Sequence, residues 1–183
     1  MTYNELTEKL KEIGDSFAVR YIFTKYIWIK PTKFNIEQIV KVIDGEKVLE
    51  ICSGEGILAK ELKDTYNVDI IATDICEDSR YGFSYNNDIE KIDAVSAVKK
   101  YQDINTILAV WVPYEDSFMV DVLKAMKPGQ RLIFIGEGYW GCNANDEFFE
   151  MIENEENFKV EEINEFDRWT EINDYIQIIT KLK

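Results

Sequence analysis

One short segment, Lys47-Val-Leu-Glu-Ile-Cys-Ser-Gly-Glu-Gly-Ile-Leu-Ala59, constrains this chain more than any other. An apolar run from Val48 to Ile51, interrupted by the acid Glu50, ends in the small-residue turn Cys52-Ser53-Gly54-Glu55-Gly56. A helical pattern (Ile57, Leu58, Leu62) follows at once. The order is strand, glycine turn, helix start. Gly54 and Gly56 can adopt positive φ and let a ligand approach the backbone. The helix start behind them offers unpaired N–H groups. A nucleotide-like cofactor is the expected occupant.

Two kinds of protein use such a turn. Gly54-x-Gly56-x-x-Ala59 fits the relaxed dinucleotide fingerprint G-x-G-x-x-[GA]. The longer pattern Glu50-x-Cys52-x-Gly54-x-Gly56 resembles motif I of class I S-adenosylmethionine (SAM) methyltransferases, E/D-x-G-x-G-x-G, with Cys52 in place of the first glycine. An acid inside a strand is costly unless it has a polar partner. The resemblance supplies one: in those enzymes the strand acid faces the methionine amino group of SAM. The rival reading, an NAD(P)-binding oxidoreductase, lacks a recognisable Tyr-x-x-x-Lys.

Periodicity extends the pattern. Asn4-Glu5 after Thr2 has capping-box spacing for a helix to Ile13 that Gly14 stops. An aromatic-rich helix is predicted over 16–28 and another over 36–44, capped by Asn35. From Lys47 onward strands predicted at 47–52, 68–74, 88–92, 105–112 and 130–136 alternate with helices at 57–66, 94–101, 116–126 and 145–154. Two more strands, 158–166 and 174–182, close the chain. Nearly continuous apolar runs such as 106–112 are expected of parallel strands covered on both faces. The layout is α/β. It resembles the Rossmann-like class I methyltransferase sheet, with seven strands, the last antiparallel, and helices on both faces. One domain, 1–183, is expected, with 1–34 as an N-terminal helical cover.

Ligands of such sheets bind at the C-terminal strand ends, where strand order reverses. Strand 1 contributes Glu50, Cys52, Ser53, Gly54 and Gly56. Strand 2 ends at Asp74-Ile75, and Asp74, 18 residues beyond Gly56, suits a ribose, with Ile75 against the adenine. Asp93-Ala94 resembles the acid-plus-small pair that meets the adenine amino group; Asp93 is equally a helix N-cap. Strand 4 ends Ala109-Val-Trp-Val-Pro-Tyr114, where motif IV of amino methyltransferases, [DNS]-P-P-[YFW], would lie. Trp111 and Val112 replace its polar residue and first proline; Trp111 is read as a cofactor contact and Tyr114 as an acceptor contact.

The loop Gly136-Glu-Gly-Tyr-Trp-Gly-Cys142 is too glycine-rich to be mere packing. Glu137 is the expected base or amine anchor, with Tyr114 as its catalytic companion. Tyr139, Trp140 and Trp169 are expected to wall the acceptor site. An aromatic-x-Trp-x-x-Pro segment (Tyr26 to Pro31), the Trp-x-Pro after strand 4 and the Gly-Glu-x-x-x-Gly-Cys loop resemble a group of small methyltransferase-like proteins of undefined substrate.

The implied function is SAM-dependent methyl transfer to an unidentified acceptor, an amine or other small molecule. A catalytically silent SAM-fold binding protein is the alternative that the altered motif IV keeps open. Net charge is −14, from 21 basic and 35 acidic residues, and disfavours nucleic acid. Without histidine, any base must be Asp, Glu, Tyr, Lys or Cys. Three scattered cysteines indicate neither a disulfide framework nor a metal site. No apolar run has transmembrane length and the first residues lack a signal-peptide pattern, so a cytoplasmic location is expected.

Overall fold

The computed structural model describes residues 1–76, 88–154 and 156–183. Three helices, α1 (Tyr3–Ile13), α2 (Phe17–Phe23) and α3 (Lys33–Ile43), precede the first strand. Then come β1 (Val48–Ile51), α4 (Ile57–Tyr66), β2 (Ile70–Asp74), β3 (Glu90–Lys91), α5 (Ala94–Lys100), β4 (Thr106–Val110) and α6 (Phe118–Ala125). The chain ends with β5 (Arg131–Gly136), α7 (Asp146–Ile152), β6 (Phe158–Ile163) and β7 (Tyr175–Lys181).

The strands form one seven-stranded sheet in the order β3-β2-β1-β4-β5-β7-β6. β1 pairs in parallel with both β2 and β4, so strand order reverses between β1 and β4. That junction opens a crevice at the C-terminal strand ends. β7 runs antiparallel to β5 and to β6. β6 is therefore parallel to the rest, and its loop, 164–174, leaves on the same side as the crevice.

Alternation along each strand splits the apolar side chains between two cores. Val48, Leu108, Ile133 and Ile135 pack with α1 to α4 on one face. Leu49, Ile51, Ile107, Ala109, Leu132 and Phe134 pack with α5 to α7 on the other. Glu50 shares the face of Val48.

The N-terminal cover is held down by polar contacts to the loop after β6. Asn35 is fully buried. Its Nδ2 donates to the carbonyls of Lys30 and Asp167, and its Oδ1 accepts from the Asp167 amide. It is therefore not the cap of α3. Thr32 is, accepting from the Asn35 amide, and the helix starts three residues earlier than predicted. Lys30 pairs with Asp15 at 2.6 Å and donates to the Arg168 carbonyl.

The helix predicted over 16–28 stops at Phe23. Thr24 turns its hydroxyl back onto the Tyr21 carbonyl, and the Tyr26 and Ile27 amides both donate to the Phe23 carbonyl. This tight closure frees Tyr26, Ile27 and Trp28 to reach the crevice. Strand β4 likewise ends early. Trp111 takes φ of 51°, a left-handed conformation rare for a bulky residue, and no strand can continue through it.

Candidate functional site

A cavity of about 820 Å³ lies over the reversal point. One end is built by β1, β2 and the start of α5; the other by the connector before α3, the end of β4 and the start of α6. Glu50, Cys52, Ser53, Gly54, Asp74, Ile75, Asp93 and Ala94 line the first end.

Glu50 is 2 % exposed and its Oε2 has no hydrogen-bond partner. Burial, and then the charge of Asp74, push its carboxyl up to about 8. A buried carboxyl with an unmatched oxygen facing a cavity is a site for a cationic or N–H-bearing group. The Ser53 hydroxyl is also buried without a partner.

The turn is shaped by positive φ at Cys52 (56°), Gly54 (56°) and Gly56 (71°). Cys52 thus holds, as a non-glycine residue, the conformation that explains why motif I has glycine there. Burial first, then the charges of Asp74, Glu50 and Asp116, push its thiol up, so it stays neutral. Gly56 does not line the cavity. A Cβ there would fall 2.9 Å from Ile89 Cδ1, so this glycine serves packing and the turn.

Asp74 fastens the turn: its Oδ2 accepts from the Gly54 amide at 3.0 Å and its Oδ1 from the Cys76 amide at 2.8 Å. Each carboxylate oxygen keeps a further lone pair for a ligand hydroxyl. No side chain caps α4. By contrast α1, α2, α3, α5 and α7 each have a side-chain N-cap. The first amides of α4 are thereby left for an anionic group such as a carboxylate. Asp93 holds both predicted places at once. It caps α5 through the Ser96 amide at 2.9 Å and lines the cavity beside Ala94. The hydrogen bonds from Ser96 hold its carboxyl below the usual range.

Aromatic rings dominate the second end: Tyr26, Trp28, Trp111, Tyr114 and Phe118 line it, with Asp116 and Cys142 at its margin. Trp28 and Trp111 stack with ring centroids 5.7 Å apart. Arg20 lies 4.5 Å above the Trp111 ring. The Trp111 indole N–H donates to Asp174, a fully buried residue whose carboxyl burial pushes up to about 6. Tyr114 is half exposed; its backbone bridges to Ala144, which draws Cys142 to the cavity. The adjacent Glu115 charge, above all, keeps the Tyr114 hydroxyl protonated.

Four expected acceptor residues lie outside the cavity lining. Glu137 is committed elsewhere: its Oε2 accepts from the Cys142 amide at 3.2 Å and its Oε1 from the Asn173 amide at 3.3 Å. It closes its own glycine loop, which explains Gly141: a Cβ there would sit 2.1 Å from Glu137 Cβ. Tyr139 packs on Phe149, and Trp140 is 93 % exposed. Trp169 emerges on the expected side of the sheet, yet it is 1 % exposed, against Phe23. Its Nε1–H donates to the Trp28 carbonyl, so it supports the wall from behind.

Sequence reasoning missed Asp116, Phe118, Ile27, Leu58 and Cys142 as lining residues. Asp116 was findable. It follows Pro113-Tyr114 at a C-terminal strand end, where topology alone places it beside the crevice.

The sequence matches no family model. No curated protein matches it. Solved structures do. A mutant of MtNAS in complex with SAM aligns over 96 % of this chain and 71 % of its own, with TM-score 0.58 and 13 % identity. Human N-acetylserotonin methyltransferase in complex with SAM aligns over 100 % of this chain and 57 % of its own, with TM-score 0.53 and 13 % identity. Precorrin-6y C5,15-methyltransferase from Geobacter metallireducens aligns over 81 % and 87 %, with TM-score 0.51 and 14 % identity. With the strand order, these likenesses show the class I methyltransferase fold. Among the described residues no helix is long and apolar enough to cross a membrane.

Proposed function

We propose that this chain binds SAM and transfers its methyl group to a small acceptor. The carrying observation is Glu50: a buried carboxyl with an unpartnered oxygen, on the cavity, at the head of a glycine turn. In this reading the carboxyl receives the methionine ammonium of SAM, and the uncapped start of α4 receives its carboxylate. Asp74 takes the ribose hydroxyls through its free lone pairs. Ile75 covers the adenine, and Asp93 with Ala94 borders its edge.

Bound SAM supplies an electrophilic methyl group on a sulfonium sulfur. The protein's own part is alignment and exclusion of water. Trp28, Trp111 and Phe118 provide an apolar surround, and Asp174 fixes the Trp111 ring. An NAD(P) oxidoreductase is disfavoured by the antiparallel β7 between β5 and β6, where a dinucleotide fold continues with parallel units. SAM and S-adenosylhomocysteine, and not NAD, should raise the melting temperature, and Glu50→Gln should shrink the rise. An equal rise with NAD overturns the proposal.

A further inference from the structure

The charge and composition of the cavity select a class of acceptor. Among the described residues four carboxyl residues line it (Glu50, Asp74, Asp93 and Asp116), and none of the described lining residues is a lysine or arginine. Three of the four belong to the cofactor end. Asp116 stands apart, on the β4–α6 loop at the mouth, exposed and next to Tyr114 and Phe118. Its Oδ1 accepts from the Phe118 amide at 3.1 Å, which fixes the carboxylate at the head of α6. Its charge reaches the buried Cys52 thiol in the glycine turn, where burial, Asp74 and Glu50 act more strongly. Asp116 therefore stands between solvent and the end of the cavity where the two halves meet.

The walls facing it are aromatic: Tyr26, Trp28, Trp111, Tyr114 and Phe118. Aromatic faces attract organic cations and are indifferent or averse to anions. Arg20 and Lys25 show the preference, lying against the Trp28, Trp111 and Tyr26 rings, but neither lines the cavity. An acceptor with a phosphate or carboxylate would meet the Asp116 carboxylate and, among the described residues, no compensating lining cation. A protonated amine on an apolar body meets the reverse.

Resting on the SAM reading, we infer that the acceptor is a small organic amine with an apolar or aromatic body, taken up as its ammonium ion and methylated on nitrogen. Asp116 is its anchor and its route for the departing proton. The ammonium gives up one proton to the Asp116 carboxylate, which passes it to solvent at the mouth. The freed nitrogen lone pair forms the new N–C bond as the methyl's C–S bond breaks, and that bond's electrons stay on sulfur. The products are a methylated ammonium and neutral-sulfur S-adenosylhomocysteine, so charge and atoms balance without a metal or oxidant.

The test uses the full chain, 2-phenylethylamine and its anionic counterpart phenylacetate, titrated by calorimetry with and without saturating S-adenosylhomocysteine. The amine should bind, phenylacetate should not, and Asp116→Asn should weaken the amine about tenfold. With SAM in place of S-adenosylhomocysteine, mass spectrometry should find methylated amine. Phenylacetate binding as tightly as the amine, or an unchanged amine affinity in Asp116→Asn, overturns the inference. The S-adenosylhomocysteine titration is read separately. Its failure overturns the cofactor reading, while the amine and phenylacetate arms on the ligand-free protein still decide the acceptor class.

Discussion

The two ends of the cavity are assembled on different principles. At the proposed cofactor end each residue sits on or just after its own strand: Glu50 to Gly54 at β1, Asp74 and Ile75 at β2, Asp93 and Ala94 at the turn from β3 into α5. At the proposed acceptor end, Tyr26 and Trp28 come from the N-terminal cover and meet residues 111–118 and Cys142 only through tertiary packing. The first end is polar and buries a charge-bearing group without a partner. The second is aromatic, and the one acid among its described lining residues, Asp116, is exposed. Local architecture suffices to place a conserved type of ligand; a variable one is met by whatever the packing brings together.

The largest expected effect separates the ends by pH. The Glu50 carboxyl is raised from an ordinary value of 4.5 to about 8. Between those values the native protein keeps a proton that the unfolded chain has released, so stability falls as pH rises. The loss accumulates across the window and is on the order of several kcal/mol in all. Asp174, raised to about 6, adds a slope of the same sign at the lower part of the window. Denaturant titrations from pH 5 to 8 should show the fall, and Glu50→Gln should flatten most of it. Saturating SAM should also flatten it, because an ammonium beside Glu50 favours the ionised form. An unchanged slope in Glu50→Gln would erase the difference between the ends.

Next in size is Trp111→Ala. Truncating a buried tryptophan costs about 3–5 kcal/mol. Here it also removes the stacking on Trp28 and leaves Asp174 without its indole donor. Urea unfolding measures the stability loss. Trp111 is expected from the sequence as a cofactor contact, but it stacks on Trp28 at the aromatic end proposed for the acceptor, so S-adenosylhomocysteine affinity in the folded variant should change far less than amine affinity. A cofactor loss as large as the amine loss would show that the two ends share this wall.

Asp74→Ala tests the cofactor end with a smaller effect. The carboxylate holds the Gly54 and Cys76 amides and, in the proposed complex, the ribose hydroxyls. Losing charge-assisted hydrogen bonds should weaken S-adenosylhomocysteine by roughly 1.5–3 kcal/mol, read by calorimetry. The fold should survive, since Asp74 stands at a strand end beside the cavity. Unchanged affinity would place the ribose elsewhere.

The same contrast explains what the sequence made legible. The seven strands and their alternation with helices follow from apolar runs and turn residues with a short reach along the chain, whereas the parallel sense of β6 is implied only by the resemblance to the class I methyltransferase sheet. The cofactor-end residues inherit that legibility, because a residue at a strand end is placed once the strand is placed. Gly56 is the exception there; a Cβ on it would run into Ile89, a restriction no motif encodes. At the other end the reading went astray in a systematic way. Glu137, Tyr139, Trp140 and Trp169 were chosen because glycines and aromatics at strand ends look functional. Which loop faces inward depends on local closure: Glu137 satisfies amides of Cys142 and Asn173 and so folds its loop onto itself. Trp169 was drawn into the core by the cover it supports. Tyr26 and Trp28 reach the cavity only because α2 stops at Phe23, and that stop depends on the Thr24 hydroxyl and a shared carbonyl rather than on proline or glycine.

The smallest expected effect is at Cys52, which shares one backbone conformation with Trp111. Cys52 has φ of 56° and Trp111 φ of 51°, one at each end of the cavity. An L-residue held left-handed costs about 1–2 kcal/mol, which glycine avoids. Glycine in turn loses about 0.5–1 kcal/mol through the greater freedom of its unfolded chain. Cys52 has a small, neutral side chain, so Cys52→Gly should leave stability within about 1 kcal/mol of the parent and keep S-adenosylhomocysteine binding. Cys52→Val should destabilise clearly more, because a β-branched residue fits that conformation worst. Trp111→Gly gains the same backbone relief yet should lose about as much stability as Trp111→Ala, since its packing outweighs the strain. Thermal unfolding of the three variants measures this. If Cys52→Gly is as costly as Trp111→Gly, the thiol packs as critically as the indole, and the cofactor turn is held by its side chains rather than by its backbone.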